Sequence, residues 1–467
     1  MDFHLGQDIE LIIEDFGNSG EGIGKIGGFP FFVRDAVIGD VVKAQITGLK
    51  KSFGFAQLSG ITTASPDRVP APCPIAIPCG GCQLQELSYE KQLKFKESKL
   101  HNALQRIGNF SPHHLKTVTE PIVGMQEPFR YRNKVQVPIG TDSNGNPVAG
   151  FYTTGSRDLI PVTDCLLGTS ANRQALDIIL DHLKRNNIPT YNQKSGKGLI
   201  RHVVIRSGTR TGELMACLVL NCKKQASETA TYLKGQQLLI SKLAEVPSMT
   251  SIALNFNTSK TSLIMGNRCT IIWGQDHITD LIADAKFQIS PLSFFQVNTL
   301  QAEKLYEIAA EYASLMGDET LWDLYCGTGT IGLSIGKNAG TIIGIESVPQ
   351  AIKDAEKNAA LNKVKNVRFH TGKVEELLPN IMAATSRSKN TVVLDPPRKG
   401  LDPSLFNALH TLNPQRIVYV SCDPATLARD LKTLTQQYGY QLARVRPVDM
   451  FPQTVHVEAV ALLTLAR

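Results

Sequence analysis

No run of about 18 apolar residues occurs in this chain, which excludes a membrane-spanning helix. Met1 to Asp8 show no basic region leading into an apolar stretch, so no secretory leader is expected. A cytoplasmic protein without membrane contact follows. There the nine cysteines should be metal ligands, nucleophiles or core residues rather than disulfides. No internal repeat is visible. Charge of one sign is also scarce: the net +7 names no partner, though it suits a polyanion such as RNA.

What is present is enough apolar residue, 42% of 467 positions, for about two or three domain cores. Residues 8–59 alternate short apolar runs with glycines, a pattern that predicts several short strands and a small β-barrel. Such a barrel is either a structural cap or an OB-like RNA binder. The Pro-rich stretch Ala64–Pro72 reads as a linker. A basic helix is predicted over about 88–108, either packed on the last domain or, with Lys91, Lys94, Lys96, Lys99 and Arg106, a solvated face with no assigned partner. Residues 129–285 carry strand-like runs and few helical patterns, so a mixed α+β middle domain is expected. From 286 onward strands and helices alternate. Strands are expected at 319–325, 341–346, 367–370, 391–395 and 416–421, a clear helix at 348–361, and a terminal hairpin from 443–448 and 456–465. That order predicts a doubly wound α/β sheet with an antiparallel edge.

Three features fall at strand ends of this last domain, where open α/β sheets bind ligands. The turn Gly327-x-Gly329-x-x-Gly332 matches a dinucleotide fingerprint, with Glu346 placed to accept from ribose hydroxyls. Taken alone it fits NAD as well as S-adenosylmethionine. Asp395-Pro396-Pro397 offers a stiff turn and a carboxylate for a planar base edge, or merely a capped turn. Cys422, between a strand and a helix start, reads as a thiol of lowered pKa. S-adenosylmethionine with a nucleobase substrate uses all three. Uracil C5 becomes nucleophilic once a thiolate adds to C6, and a base must then remove the C5 proton. Glu458 is the candidate base, His456 its rival, and Cys326 reads as packing.

Cys73, Cys79 and Cys82 cluster around Gly80-Gly81, with Cys165 far along the chain. The spacing admits zinc or an iron–sulfur cluster. The lack of a second Cys-x-x-Cys pair favours [4Fe–4S]. Cys217, Cys222 and Cys269 lie in apolar runs and read as core.

Together these motifs resemble the RNA uracil-5-methyltransferases, most closely the bacterial 23S ribosomal RNA (uracil-C5)-methyltransferases. The resemblance implies a TRAM barrel over 1–62, a central iron–sulfur domain over 68–285 and a Rossmann-like methyltransferase domain over 286–467. It implies [4Fe–4S] ligation by Cys73, Cys79, Cys82 and Cys165. Gln296, Tyr325, Gly327, Gly329, Glu346 and Asp395 would contact S-adenosylmethionine. Phe294 would pack on the target base, and Arg130, Arg132 and Lys134 would meet RNA. Cys422 falls on the nucleophile and Glu458 on the base. The expected product is 5-methyluridine in 23S ribosomal RNA, made by a monomer. Transfer RNA as substrate, methylation of an exocyclic amine, or a non-catalytic RNA-binding iron–sulfur protein are the competing readings.

Overall fold

The computed structural model describes residues 3–156, 158–162, 164–223, 231–383 and 389–465. The first six strands form one sheet, Asp8–Ile12, Asp15–Phe16, Gly22–Ile26, Phe29–Val33, Val41–Leu49 and Gly54–Thr63, in the order first, fifth, sixth, fourth, third, second. Alternation decides its inside: Ile9 and Leu11 point inward from Asp8–Ile12 and pack with Phe31, Val42 and Ile46. The Pro-rich stretch after it is not a free linker. Asp40 is fully buried and accepts from the Val37 and Ser65 amides, and Arg68 reaches back to it at 2.7 Å. Arg68 also binds Glu86 at 2.9 Å, so one guanidinium ties barrel, connector and the next segment together.

The middle unit is a seven-stranded sheet ordered Cys269–Gly274, Met249–Phe256, Leu214–Leu220, Ile200–Ser207, Lys134–Thr141, Pro147–Tyr152, Leu159–Pro161. Two helices, Ala171–Arg185 and Gln236–Ala244, cover one face. The sequence pattern under-reads both. The hairpin Ile278–Ile282 and Ala285–Ile289 straddles the expected boundary at 285/286, and its Ile278, Phe287 and Ile289 pack into the core of the last domain.

That last domain carries the sheet that positions the site. Its order is Val367–Thr371, Thr341–Glu346, Thr320–Leu324, Asn390–Leu394, Arg416–Ser421, Glu458–Leu465, Tyr440–Val448. The first five are mutually parallel, and the last two form the antiparallel edge. Winding starts at Thr320–Leu324, runs outward on one side, then resumes on the other with Asn390–Leu394. The crevice between them is the topological switch point. Gly332 is required behind it: a Cβ there would stand 2.6 Å from the Asp323 carboxylate, which accepts the Gly332 amide at 2.8 Å.

The basic helix spans Tyr89–Arg106 and buries one face against the last domain, while Lys94 and Arg106 stay exposed. Lys96 is fully buried and donates to Asp449 at 2.5 Å and to the Phe451 carbonyl at 3.0 Å, while Tyr89 donates to the same Asp449. Gln92 exchanges hydrogen bonds with Gln453, and Lys99 donates to the Val455 carbonyl. Periodicity does not distinguish a lysine facing water from one facing a buried aspartate. Removing one partner of a buried pair leaves an unpaired charge, at a cost of about 3–5 kcal/mol. Lys96→Met should therefore lower the melting temperature sharply. The double variant Lys96→Met/Asp449→Leu should recover much of the loss, and a double variant as unstable as the single would contradict the pairing.

Candidate active site

The strand register places the site residues one strand apart. Glu346 closes Thr341–Glu346; Tyr325 and Gly327 follow Leu324; Asp395 follows Leu394; Cys422 follows Ser421. Ser421 pairs with Ala459, so Cys422 and Glu458 are the next positions facing each other across the antiparallel pair. With neighbouring strands about 4.8 Å apart, the cofactor turn and the thiol are roughly 10 Å apart along one sheet edge. Asp395 lies between them.

On the cofactor side, Tyr325 and Gly327 both have positive φ, 67° and 55°. A Cβ on Gly327 would meet nothing within 4 Å, so that turn faces open space. Glu346 accepts from the Gly327 amide at 3.3 Å and from the Val348 amide at 2.8 Å, which fixes its carboxylate beside the turn. Gly329, also at positive φ, caps the helix Thr330–Ile335. Asp323 is an additional acid here: it is 1% exposed, and one carboxylate oxygen has no partner. Burial pushes it up to about 7. The signal for it in the sequence is an acid near the end of the strand that leads into a Gly-rich turn.

The segment 290–298 forms the roof. Asn133 donates to the Gln296 carbonyl at 2.8 Å, and Asn298 donates to the Met450 carbonyl at 3.0 Å. Gln296 is buried, whereas Phe294 is 69% exposed between buried Ser293 and Phe295. Its carbonyl accepts from the Thr328 hydroxyl of the cofactor turn. A phenyl ring held in water on a pinned backbone beside that turn is a ready stacking platform.

On the chemical side, the electrostatics correct the expected low-pKa thiol. Burial, then the carboxyls of Glu458 and Asp395, push Cys422 up to about 11, against the Arg398 guanidinium. Glu458 is 4% exposed; burial and Asp395 raise it to about 8, with Arg398 opposing. Asp395 rises to about 7 through burial and Asp323. Arg398, beside the Asp-Pro-Pro turn, thus acts on both Cys422 and Glu458. The sequence pattern assigns it no role. His456 is held down by burial and by the cations Arg398, Lys99, Lys96 and Arg132, so it is a poor proton acceptor.

The expected RNA-contacting cations separate. Arg130 binds Asp164 at both guanidinium ends and the carbonyls of Cys165 and Gly168. Lys134 sits on a central strand, pushed down to about 7 by burial and Arg206. Arg132 keeps an unpartnered buried Nε and lies over the Tyr131 ring. The four cysteines Cys73, Cys79, Cys82 and Cys165 are all half-buried. Cys79 feels the charges of Cys165 and Cys73, and Cys82 those of Cys165 and Cys79. Among the described residues no three His, Cys, Asp or Glu side chains converge as a single-ion site. Cys326 is buried as expected, and so is Cys217; Cys222 and Cys269 are only half-buried.

The tRNA (Uracil-5-)-methyltransferase family model matches residues 257–466, and the TRAM domain model matches residues 3–59. An uncharacterized RNA methyltransferase of Clostridium tetani is 42% identical over 97% of this chain and 95% of its own. One from Listeria innocua is 43% identical over 98% of each. The chain belongs to the RNA uracil-5-methyltransferase family. Among solved structures, the Pyrococcus abyssi tRNA (uracil-54, C5)-methyltransferase in complex with S-adenosyl-L-homocysteine aligns with a TM-score of 0.76. It is 28% identical over 97% of this chain and 99% of that one. Among the described residues no helix of this enzyme is long and apolar enough to cross a membrane.

Because only the thiolate reacts, iodoacetamide should label Cys422 slowly at pH 7 and ever faster as the pH approaches 11. Glu458 carries charge only above about 8, so Glu458→Gln should speed labelling above that pH and leave it unchanged below. Peptide-resolved mass spectrometry reads both. Fast labelling of Cys422 at pH 6 would contradict the raised pKa.

Proposed function

We propose that the enzyme methylates C5 of a uridine in RNA, with Cys422 as nucleophile and Glu458 as base. What supports this is the pair itself: a thiol and a buried carboxyl one position beyond the pair Ser421 and Ala459 of two antiparallel strands, close enough for Glu458 to act on Cys422, on the same sheet edge as a Gly-rich turn. S-adenosylmethionine supplies an electrophilic methyl group when bound. Gln296, Tyr325, Gly327, Gly329, Glu346 and Asp395 would hold it. The turn facing open space and the fixed Glu346 carboxylate fit a ribose-bearing ligand. The Cys422 thiolate adds to C6, placing the electron pair on the C4 carbonyl as an enolate and making C5 nucleophilic. After C5 is methylated, Glu458 takes the C5 proton, the C5–C6 double bond re-forms and the thiolate leaves. A base of pKa about 8 is matched to that task near neutral pH. C6 is out of reach in a stacked base, so the uridine is flipped out. Exposed Phe294 would stack on it.

As substrate we propose 23S ribosomal RNA, in the cytoplasm, on the resemblance given above. Transfer RNA is the second reading, favoured by the alignment over 97% of the chain to an enzyme of that substrate. We also propose a [4Fe–4S] cluster on Cys73, Cys79, Cys82 and Cys165. What supports it is the donor set: four half-buried thiols, with Cys79 in electrostatic reach of Cys73, Cys82 and Cys165, Cys82 also in reach of Cys165, and the Gly81 amide donating to Cys79 Sγ at 3.4 Å.

With 5-fluorouridine-substituted RNA the C5 substituent does not leave as a proton, so a methylated adduct should persist on a denaturing gel. Cys422→Ala should abolish that band. Glu458→Gln should trap an adduct on natural RNA and lose about 100-fold or more in turnover; wild-type turnover would move the base elsewhere. In a strain lacking the enzyme, 5-methyluridine should disappear from one 23S position, and loss from transfer RNA alone would select the second reading. Anaerobically purified protein should hold about four irons with equal sulfide. Stoichiometric zinc would overturn the cluster.

A further inference from the structure

The middle domain's sheet has a second face, turned away from its two helices. Lys134, Gln136 and Pro138 lie on it, and their register partners Arg206, Val204 and His202 lie beside them. At one end of this face is a cavity of about 430 Å³, within the range of small-ligand pockets. Gln136, Tyr152, Tyr191, Arg201, His202 and Lys260 are in its wall.

Consecutive strand residues normally point to opposite faces. Here the register slips between Ile200 and His202, and the bulge lets both Arg201 and His202 line the cavity. Arg201 is anchored by the carbonyls of Asn257 and Ser259, at 2.8 and 2.6 Å, and its guanidinium lies 4.5 Å from the centroid of the Tyr191 ring. Yet Arg201 Nε and His202 Nδ1 have no hydrogen-bond partner, although the two residues are only 5% and 6% exposed. Buried polar atoms without partners are uncommon and costly unless a ligand completes them.

The wall is chemically mixed: aromatic rings, an amide, a guanidinium and an imidazole ring. That combination suits a planar ring with donors and acceptors on its edge. Burial and Arg201 push the His202 imidazole down to about 4, so it presents a neutral ring, better suited to a base edge than to a phosphate. The other end of the same face carries Arg206, which donates to the Ser293 carbonyl, next to Phe294. Four residues separate His202 from Arg206, about 13 Å along the strand. A strand of RNA with its target at the cleft would reach the cavity by following this face past Arg206.

We propose that this cavity binds a second, unmethylated nucleobase of the substrate RNA, splayed out of its stack to set the register of the target uridine. The inference rests on RNA being the substrate. It is tested separately from the chemistry, because RNA affinity is measured without methyl donor.

The test uses the full-length holoenzyme with total ribosomal and transfer RNA from a strain lacking it. Tyr191→Ala and Gln136→Leu should each weaken RNA binding about tenfold, the scale of one lost base stack or base-edge contact. Tyr191→Phe should restore binding, and affinity for S-adenosyl-L-homocysteine should be unchanged in all three, which reports an intact fold. Ultraviolet crosslinking followed by peptide mass spectrometry should find a nucleotide on the segment bearing Tyr191 or Tyr152. Wild-type RNA affinity in both Tyr191→Ala and Gln136→Leu would overturn the proposal, as would crosslinks confined to the barrel and the cleft. Tight binding of free uridine or adenosine monophosphate that total RNA does not displace would overturn it too, since the cavity would then serve a free nucleotide.

Discussion

The buried ion pair between Lys96 and Asp449 anchors the start of the segment that leads to Glu458. Glu458 opens the strand Glu458–Leu465, but the segment from Asp449 to Val457 that leads into it is not part of a sheet. It is held by hydrogen bonds to buried polar groups: Lys96 on Asp449 and Phe451, Gln92 on Gln453, Tyr131 on the Pro452 carbonyl, Lys99 on Val455. Every one of those partners comes from outside the methyltransferase sheet. The last domain therefore does not position Glu458 alone. The helix Tyr89–Arg106 and the start of the central domain hold the segment before it together with Asn298 and Gln301, which couples the order of the N-terminal half to the position of Glu458. A buried pair is a weak source of net stability but a strong source of uniqueness when its loss strands a charge. A loop placing a base has more use for the second than for the first.

The same pair marks how far local pattern reaches. The β/α alternation after residue 286 is legible in the sequence, because parallel strands buried on both faces are near-continuous apolar runs with helices between them. The ends of those runs are enough to put Glu346, Asp395 and Cys422 on one sheet edge. What is not legible depends on partners distant in the chain. Lys96 reads as one of five cations on a wet helix, because its partner lies 353 residues away. Arg68 sits in what reads as a loose connector, yet it closes on Asp40. The place of Cys422 before a helix predicts an acidic thiol, but burial, and after it two carboxyls from other strands, reverse the sign.

That reversal bears on how the cleft is organised. Asp323, Asp395 and Glu458 all have pKa values raised by burial, and each neighbour's charge adds to the strain on another. Without ligand, the site resolves the conflict by keeping protons. Raised carboxyls such as Asp323 and Asp395, on which no protein cation acts, are the complement of a ligand that brings positive charge with it. A sulfonium-bearing cofactor has that property. One cation, Arg398, opposes the carboxyls around Cys422 and Glu458. Arg398 is the one cation that lowers both Cys422 and Glu458. A phosphate drawing Arg398 away would raise both again, whereas one that brings the guanidinium closer would favour the thiolate and the carboxylate together.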